Sequence, residues 1–318
     1  MSLDPNAIAI AFRRGQIDAV IRTHLSPSGL YTAEMRHSLA LRTLSRAWTQ
    51  YREDRAITLG TRLVGSECAA ERNAFLTLLE QALPSQDEWL SSAIRTVKRV
   101  AVAPLAEEAR QSAAIIEAST PELGAVLETL TGPKLPGDPL ERLLWVISQH
   151  RYSLEDQPDA LTATARTPCW AINLAAVGRA SCFALAYPPF PCPGIVRRRL
   201  FRADLDNAKR RSDACEFMLD ALHESSCDID RTVRASQLFQ AEFPNLRSNS
   251  RLMSVWMLMV GLGELTPAQL ARALPATKPG AAKLLRQLEA AHLVRAQGPF
   301  EPFVCNPLPA SVFPAMMI

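Results

Sequence analysis

Apolar residues recur along this chain at intervals of three and four positions, and proline and glycine separate the segments in which they do so. Side chains at these intervals share one face of an α-helix, whereas a strand alternates apolar and polar positions. The pattern therefore predicts a largely helical chain. One predicted helix has a buried stripe of Met35, Leu39, Leu41, Leu44 and Trp48, and others span residues 5–25, 67–83, 86–102, 104–118, 121–130, 139–150, 168–186, 203–223 and 228–242.

Three further helices are predicted near the C-terminus, over residues 251–262, over residues 267–274 and from residue 278 onward. Thr266 and Thr277 are placed as N-caps of the second and third of these, each with a proline in the first helical turn. Apolar residues at helical spacing define the inward face of the third helix, namely Ala281, Leu284, Leu285, Leu288 and Ala291. Its outward face then carries Lys278, Gly280, Lys283, Arg286 and Gln287.

The segment from residue 265 to residue 294 resembles a winged helix-turn-helix of the MarR type. The matching residues are Ala271, Leu274, Thr277, Pro279, Leu284, Leu285, Leu288, Glu289, Leu293 and Val294. The resemblance implies that the third helix enters the major groove of double-stranded DNA, where Arg and Gln read base edges and Lys holds phosphates. The DNA-binding residues that it implies are Thr277, Lys278, Gly280, Lys283, Arg286, Gln287 and Arg295.

The sequence departs from that family's pattern at two places that matter for DNA binding. Gly280 and Ala282 stand where hydroxyl-bearing residues are usual, which removes hydrogen bonds to phosphates and bases. The predicted wing, residues 295–304, contains two prolines that are expected to spoil a hairpin ladder, and it has Glu301 where a basic residue would favour DNA. A role in protein–protein contact is therefore kept as an alternative, since the fold alone does not determine the function.

A wider set of segments is similar to an alphaproteobacterial family known as DUF1403, for which no activity is established. These segments are residues 11–15, 17–21, 36–42, 170–176 and 187–193, together with the C-terminal helix-turn-helix. The resemblance implies a bacterial protein and an architecture, but no mechanism. The predicted fold is all-α, with a multi-helix domain at residues 1–244 and, at residues 245–318, a winged helix-turn-helix domain with a minimal β-wing.

Composition and charge narrow the class of protein. The chain is 48% hydrophobic and 6% aromatic, which provides for packed cores and favours helix over sheet. A net charge of +3 permits a nucleic-acid partner without requiring one. The seven cysteines are odd in number and lack Cys-x-x-Cys spacing, which indicates reduced thiols. The N-terminus does not have the order of a signal peptide and the apolar runs are short, so we predict a cytoplasmic protein with no membrane contact.

Two other groups of residues have alternative interpretations. Seven basic residues form a possible secondary patch, which is either a phosphate-binding surface or a solvated helix face: Arg197, Arg198, Arg199, Arg202, Lys209, Arg210 and Arg211. His223 and Cys227 are four residues apart, but the sequence has no second pair with zinc-site spacing. We therefore predict neither a metal nor a cofactor. The sequence also lacks the common phosphate-loop, nucleophile-elbow and metalloprotease motifs, so no enzyme activity and no catalytic residue are predicted.

The leading hypothesis from the sequence is a DNA-binding protein, and specifically a transcriptional regulator, that uses the C-terminal winged helix. Its helical domain would form a homodimer or recognise a protein partner. The alternative is a non-enzymatic adaptor in which the winged helix is a docking or dimerisation module. The two hypotheses differ in one measurable property, because binding through DNA phosphates weakens as salt is added.

Overall fold

The structure is a computed structural model that describes residues 5–25, 32–85, 87–132, 135–150, 167–183, 190–202, 204–246, 250–298 and 301–308. These residues form a mostly α-helical protein with a small three-stranded sheet near the C-terminus. The N-terminal helices are α1 Pro5–His24, α2 Thr32–Asp54, α3 Ala69–Ala82, α4 Glu88–Val100, α5 Ala106–Thr131, α6 Pro139–Gln149, α7 Cys169–Gly178, α8 Ala180–Phe183 and α9 Asn207–Glu242. The C-terminal elements are α10 Leu252–Leu262, β1 Glu264–Leu265, α11 Pro267–Ala273, α12 Lys278–Ala290, β2 Val294–Ala296 and β3 Phe303–Cys305.

Helix α2 lies at the centre of the helical body, where it packs against α4, α7, α9 and α10. All five residues of its predicted apolar stripe are buried, so that prediction is confirmed. Aromatic rings fill the space beside it, with the ring centroids of Trp48 and Phe75 5.5 Å apart and those of Tyr51 and Phe75 5.2 Å apart. Large rings of this kind bury much apolar area each and account for a large part of the core energy.

The predictions for α1, α3, α4 and α6 agree with the structure to within two residues at each end. Side-chain caps explain why two of these helices begin where they do. The carboxylate of Asp87 accepts a hydrogen bond from the Leu90 amide at 3.0 Å, and that of Asp138 accepts from the amides of Leu140 and Glu141. Such caps satisfy amides that have no partner within the helix.

Helix α5 corrects the prediction of separate helices at 104–118 and 121–130, because it continues through Pro121. A proline inside a helix removes one backbone hydrogen bond and costs about 3 kcal/mol. Burial of Leu123, Val126 and Leu130 against α3 and α7 compensates for that loss. The Thr120 hydroxyl also donates to the carbonyl of Ile116 at 2.8 Å, one turn earlier.

Helix α9 corrects a second predicted break, between 203–223 and 228–242, because it is continuous over 36 residues. Ser225 and Asp228, on either side of the expected break, are both buried on its inward face. Asp228 binds Arg42 and Arg46 of α2. This tertiary contact keeps α9 helical at a place where serine alone would favour the end of a helix.

The predicted helix at 168–186 is shorter in the structure, where α7 ends at Gly178. A Cβ atom on Gly178 would lie 2.8 Å from the Ala82 Cβ, so glycine allows α7 to pack directly on α3. The short helix α8 follows, and residues 184–186 of the predicted helix lie outside the described residues.

The prolines of the predicted wing, residues 295–304, were expected to spoil a hairpin ladder, but two paired strands form there. Strand β2 pairs antiparallel with β3, which in turn pairs with β1, so the order in the sheet is β1-β3-β2. Pro302 precedes β3 and needs no amide there, while its carbonyl accepts from the Gln297 amide at 3.3 Å. The other proline of the wing, at position 299, lies outside the described residues.

The C-terminal elements pack tightly on the helical body. Helix α10 lies along α2 so closely that a Cβ atom on Gly261 would be 2.9 Å from the Leu41 Cβ. The Trp256 indole donates to the carbonyl of Ala235 in α9 at 2.8 Å. Helix α11 contacts α4, where Arg272 donates to the Val100 carbonyl at 2.6 Å. One hydrophobic core therefore extends from the helical body into the C-terminal elements.

The helices that the structure describes include none that is both long and apolar enough to cross a membrane.

Candidate nucleic-acid interface

Helix α12 holds most of the residues that the sequence implicates in DNA binding. The Thr277 hydroxyl caps it by accepting from the Gly280 amide at 3.2 Å, which confirms the predicted N-cap. Ala281, Leu285 and Leu288 are fully buried against α10, α11 and β2. These contacts fix the rotation of α12 about its axis, and thereby decide which side chains face outward.

The outward face of α12 forms a shallow groove of about 440 Å³. The six residues that line it recur at intervals of three and four, and hence form one stripe along the helix: Pro279, Ala282, Lys283, Arg286, Gln287 and Ala290. Three of these side chains are small or apolar, and three are long and polar. Lys278 and Arg295 are also exposed, on the first turn of α12 and on β2 respectively.

The basic side chains of this surface have no partner among the residues that the structure describes. Among the described residues, the side chains of Lys278, Lys283, Arg286 and Arg295 make no hydrogen bond or ion pair within the chain. The single acidic residue of α12 is Glu289, and its carboxylate accepts from the Ala296 amide at 3.1 Å. Two of these cations, Lys283 and Arg286, line the groove itself, which favours a positive potential there despite the modest net charge of the chain.

Two of the predicted DNA-binding residues have a structural role in the cap. The Thr277 oxygen and the Gly280 amide bond to each other, and both lie at the start of α12. The remaining five, namely Lys278, Lys283, Arg286, Gln287 and Arg295, are exposed. Three of these five, namely Lys283, Arg286 and Gln287, line the α12 groove together, whereas Lys278 and Arg295 are not part of its lining.

The possible secondary basic patch between residues 197 and 211 is different, because all seven side chains are engaged within the chain. Arg210 is buried and donates to the Leu200 carbonyl at 2.9 Å, and Arg198 donates to the carbonyls of Glu53 and Asp54. The other five form ion pairs: Arg197 with Asp220, Arg199 and Lys209 with Asp213, Arg202 with Asp204, and Arg211 with Glu141. A phosphate that bound here would compete with these partners, and the phosphate-binding patch stays a prediction.

The candidate metal ligands lie close together, but they do not form a site. The Cys227 sulfur is 3.7 Å from His223 Nε2, and Cys215 is buried elsewhere on α9. Cys227 is exposed at the surface, but partial desolvation, together with the neighbouring Asp228 carboxylate, still raises the pKa of its thiol, which disfavours the thiolate that a metal needs. Within the described ranges, no group of three or more His, Cys, Asp and Glu side chains could hold a metal ion.

A buried polar network that the sequence did not indicate joins α2, α7 and the loop after it. Asp54 accepts hydrogen bonds from Asn173 Nδ2 at 2.8 Å, from Gln50 Nε2 at 2.9 Å and from the Cys169 thiol at 3.3 Å. Burial raises the pKa of Asp54 to about 6, although these hydrogen bonds oppose the increase. The only sequence signal was Asn173, a lone polar residue in the otherwise apolar helix α7.

A second buried carboxylate, Asp228, connects α9 to α2 through two arginines. Its carboxylate binds the guanidinium groups of Arg42 and Arg46, and Arg42 also donates to the Val260 carbonyl of α10 at 3.3 Å. The cluster therefore ties the first C-terminal helix to the helical body. We assign it a structural role, because its donors and acceptors are satisfied within the chain.

Comparisons with protein-family models and with curated proteins give no match to this chain. The functional assignment consequently depends on the geometry and the charges of the described residues. Those residues define a mostly helical protein whose last helix presents an open, cationic face.

Proposed function

We propose that this protein binds double-stranded DNA through the outward face of α12, with Arg295 of β2 contributing from the adjacent strand. The observation that carries the proposal is the difference between two basic regions of the chain. The cations on α12 and β2 have no partner among the described residues, whereas those between residues 197 and 211 are all engaged. Unpaired cations clustered on an exposed helix are typical of a phosphate-binding surface.

The arrangement around α12 supports the resemblance to a winged helix-turn-helix. Helices α11 and α12 pack against each other after a short turn, and each begins with a threonine cap and a proline. Strands β2 and β3 form a hairpin directly after α12, and β1 adds to its edge. This order leaves one face of α12 open, as a recognition helix requires.

The side chains of that face suggest separate roles in recognition. Arg286 and Gln287 have the donor and acceptor geometry to read guanine and adenine edges in the major groove. Lys278, Lys283 and Arg295 are suited to phosphates, which position the protein without reading sequence. The proposal therefore separates affinity, which comes from the lysines and Arg295, from specificity, which comes from the arginine and glutamine of α12.

Helix α11 differs from the first helix of many DNA-binding helix-turn-helix units, which crosses the DNA backbone. Two of its polar side chains bind the helical body instead, since Arg272 donates to the Val100 carbonyl and Gln269 donates to the Val64 carbonyl at 3.0 Å. We expect phosphate contacts from α12 and β2 rather than from these side chains. The number of contacts, and hence the salt dependence, should accordingly be small.

A mobility-shift assay with genomic fragments and the full chain tests the proposal. Replacing Lys283 and Arg286 together with alanine should weaken binding, and it should relax the sequence preference because Arg286 reads a base edge. The slope of log K against log salt should fall by about 0.9, for the phosphate contact of Lys283. The double variant Lys98→Ala/Arg110→Ala removes two exposed cations of the helical body and should leave the slope unchanged. Undiminished binding by the Lys283→Ala/Arg286→Ala variant would contradict the assignment of this face.

A protein–protein adaptor is the second candidate function, and the apolar part of the α12 groove is the observation that favours it. Pro279, Ala282 and Ala290 form a small apolar surface that a partner protein could cover. The adaptor hypothesis predicts a stable protein partner and no salt-sensitive binding of DNA. Both hypotheses are consistent with a non-enzymatic regulator whose helical body dimerises or recognises a protein.

We also propose a cytoplasmic location. All seven cysteines are free, including Cys227, which is exposed. An exposed free thiol is more compatible with a reducing compartment than with an oxidising one. Alkylation of intact cells followed by mass spectrometry would test this, because Cys227 should be recovered reduced.

A further inference from the structure

Ala282 is a short side chain in the lining of the α12 groove, which also contains the longer side chains of Lys283, Arg286 and Gln287. Ala282 is half-buried there, and Lys283 and Arg286 extend into solvent beside it. Alanine at this position removes the hydroxyl that would hydrogen-bond to a base or phosphate. The side chain of Ala282 ends instead in a methyl group. Together with the longer side chains of Lys283 and Arg286 it forms a notch that a flat apolar group could enter.

We propose that this notch accepts the 5-methyl group of thymine, and that Ala282 is a specificity-determining residue for DNA. The inference rests on the proposed DNA-binding function of the same face. Thymine is the base that presents a methyl group in the major groove, and apolar contact from alanine is a known means of reading it. A small residue also lets the helix approach the base edges closely.

The charges around the notch match this occupant. The ammonium groups of Lys278 and Lys283 have no partner among the described residues. They can therefore bind phosphates on the two strands that border the DNA major groove, and so hold the outward face of α12 against the base edges. Of the side chains that the structure describes, none with a carboxylate lines the notch. The six lining residues include no aromatic or large aliphatic side chain, which a protein partner would need for a strong anchor.

The position of Arg286 predicts how far a guanine lies from the thymine in the recognised DNA. Arg286 is one helical turn after Ala282, which corresponds to about 6 Å along the axis. If the axis of α12 lies along the major groove of the DNA, that distance spans about two base-pair steps of roughly 3.4 Å each. The recognised site should therefore contain a thymine within about two steps of a guanine.

Selection from random duplexes with the full chain, followed by replacement of each thymine with deoxyuridine, tests the inference. The two bases differ only in the methyl group. We expect one replacement to weaken binding of the unmodified protein about fourfold, the effect of losing one buried carbon. The Ala282→Gly variant should lose sensitivity at that position alone. Ala290→Gly carries a similar cost in helix propensity at the far end of α12, and it should keep the sensitivity.

The possible failures are distinguishable. If DNA is bound but deoxyuridine has no effect, or has an equal effect on the Ala282→Gly variant, the thymine inference is wrong and the DNA-binding proposal stands. If no sequence is enriched and binding does not depend on salt, both are wrong. Protection of the α12 face by a protein partner, without DNA binding, likewise contradicts both.

Discussion

Replacing Asp54 with asparagine should make the stability of the protein less dependent on pH. The carboxylate is buried between α2 and α7 and accepts hydrogen bonds from Asn173, Gln50 and Cys169. Burial raises its pKa from 3.8 to about 6, so folding favours the protonated form. The stability that results is fully present below pH 3.8, and it is lost as the pH rises through about 6.

The size of this effect follows from the change in pKa. A pKa of about 6 in the folded state and 3.8 in the unfolded state corresponds to about 3 kcal/mol, at 1.36 kcal/mol for each unit. Asparagine does not titrate. The difference in unfolding free energy, variant minus unmodified protein, should therefore become more positive by about 2.4 kcal/mol between pH 4 and pH 7.5, since part of the effect is already lost at pH 4.

Urea unfolding followed by far-ultraviolet circular dichroism would measure that difference at several pH values. Comparing two proteins at each pH cancels the titration of groups that they share. The neighbouring Glu53 is exposed, so Glu53→Gln is a matched control whose difference should stay nearly constant. A constant difference for Asp54→Asn as well would refute the argument that burial controls this carboxyl group.

Two further predictions concern packing and the buried ion cluster. Gly261→Ala should destabilise the protein by about 1–3 kcal/mol, because its Cβ would lie 2.9 Å from the Leu41 Cβ. Gly124→Ala in α5 meets no atom within 4 Å and should stabilise it by about 0.5–1 kcal/mol, and thermal melting compares the two. Asp228→Ala should cost about 3–5 kcal/mol in urea unfolding, because two partly buried arginines lose their carboxylate. An unchanged midpoint would contradict this last prediction.

Much of the candidate interface was accessible from sequence, because it depends on local features. The caps at Thr266 and Thr277 and the period of the leucines set the limits of α11 and α12. The same period determines that Lys283 and Arg286 lie opposite Leu285 and Leu288. That the cations of this face have no partner among the described residues could not be predicted, because it depends on which side chains other elements bring close to them.

Where local preference and tertiary contact compete, the sequence pattern was misleading. Breaks in the helix were predicted at residues 119–120 and 224–227, yet α5 and α9 continue through them. The preferences involved amount to about 3 kcal/mol or less, and burial of several apolar side chains exceeds them. Likewise, the ion pair of Arg211 with Glu141 could not be predicted, because the two residues are 70 positions apart in the sequence.

The sequence by itself determined the helical class of this protein, the caps and faces of its last helices, and the identity of its outward cations. These features depend on residues within one or two turns of each other. Only the tertiary structure decided which helices are continuous, which cations are neutralised, and that Asp54 is buried among Asn173, Gln50 and Cys169. The physical reason is that burial and ion pairing depend on distance in space, which the order of residues along the chain does not fix.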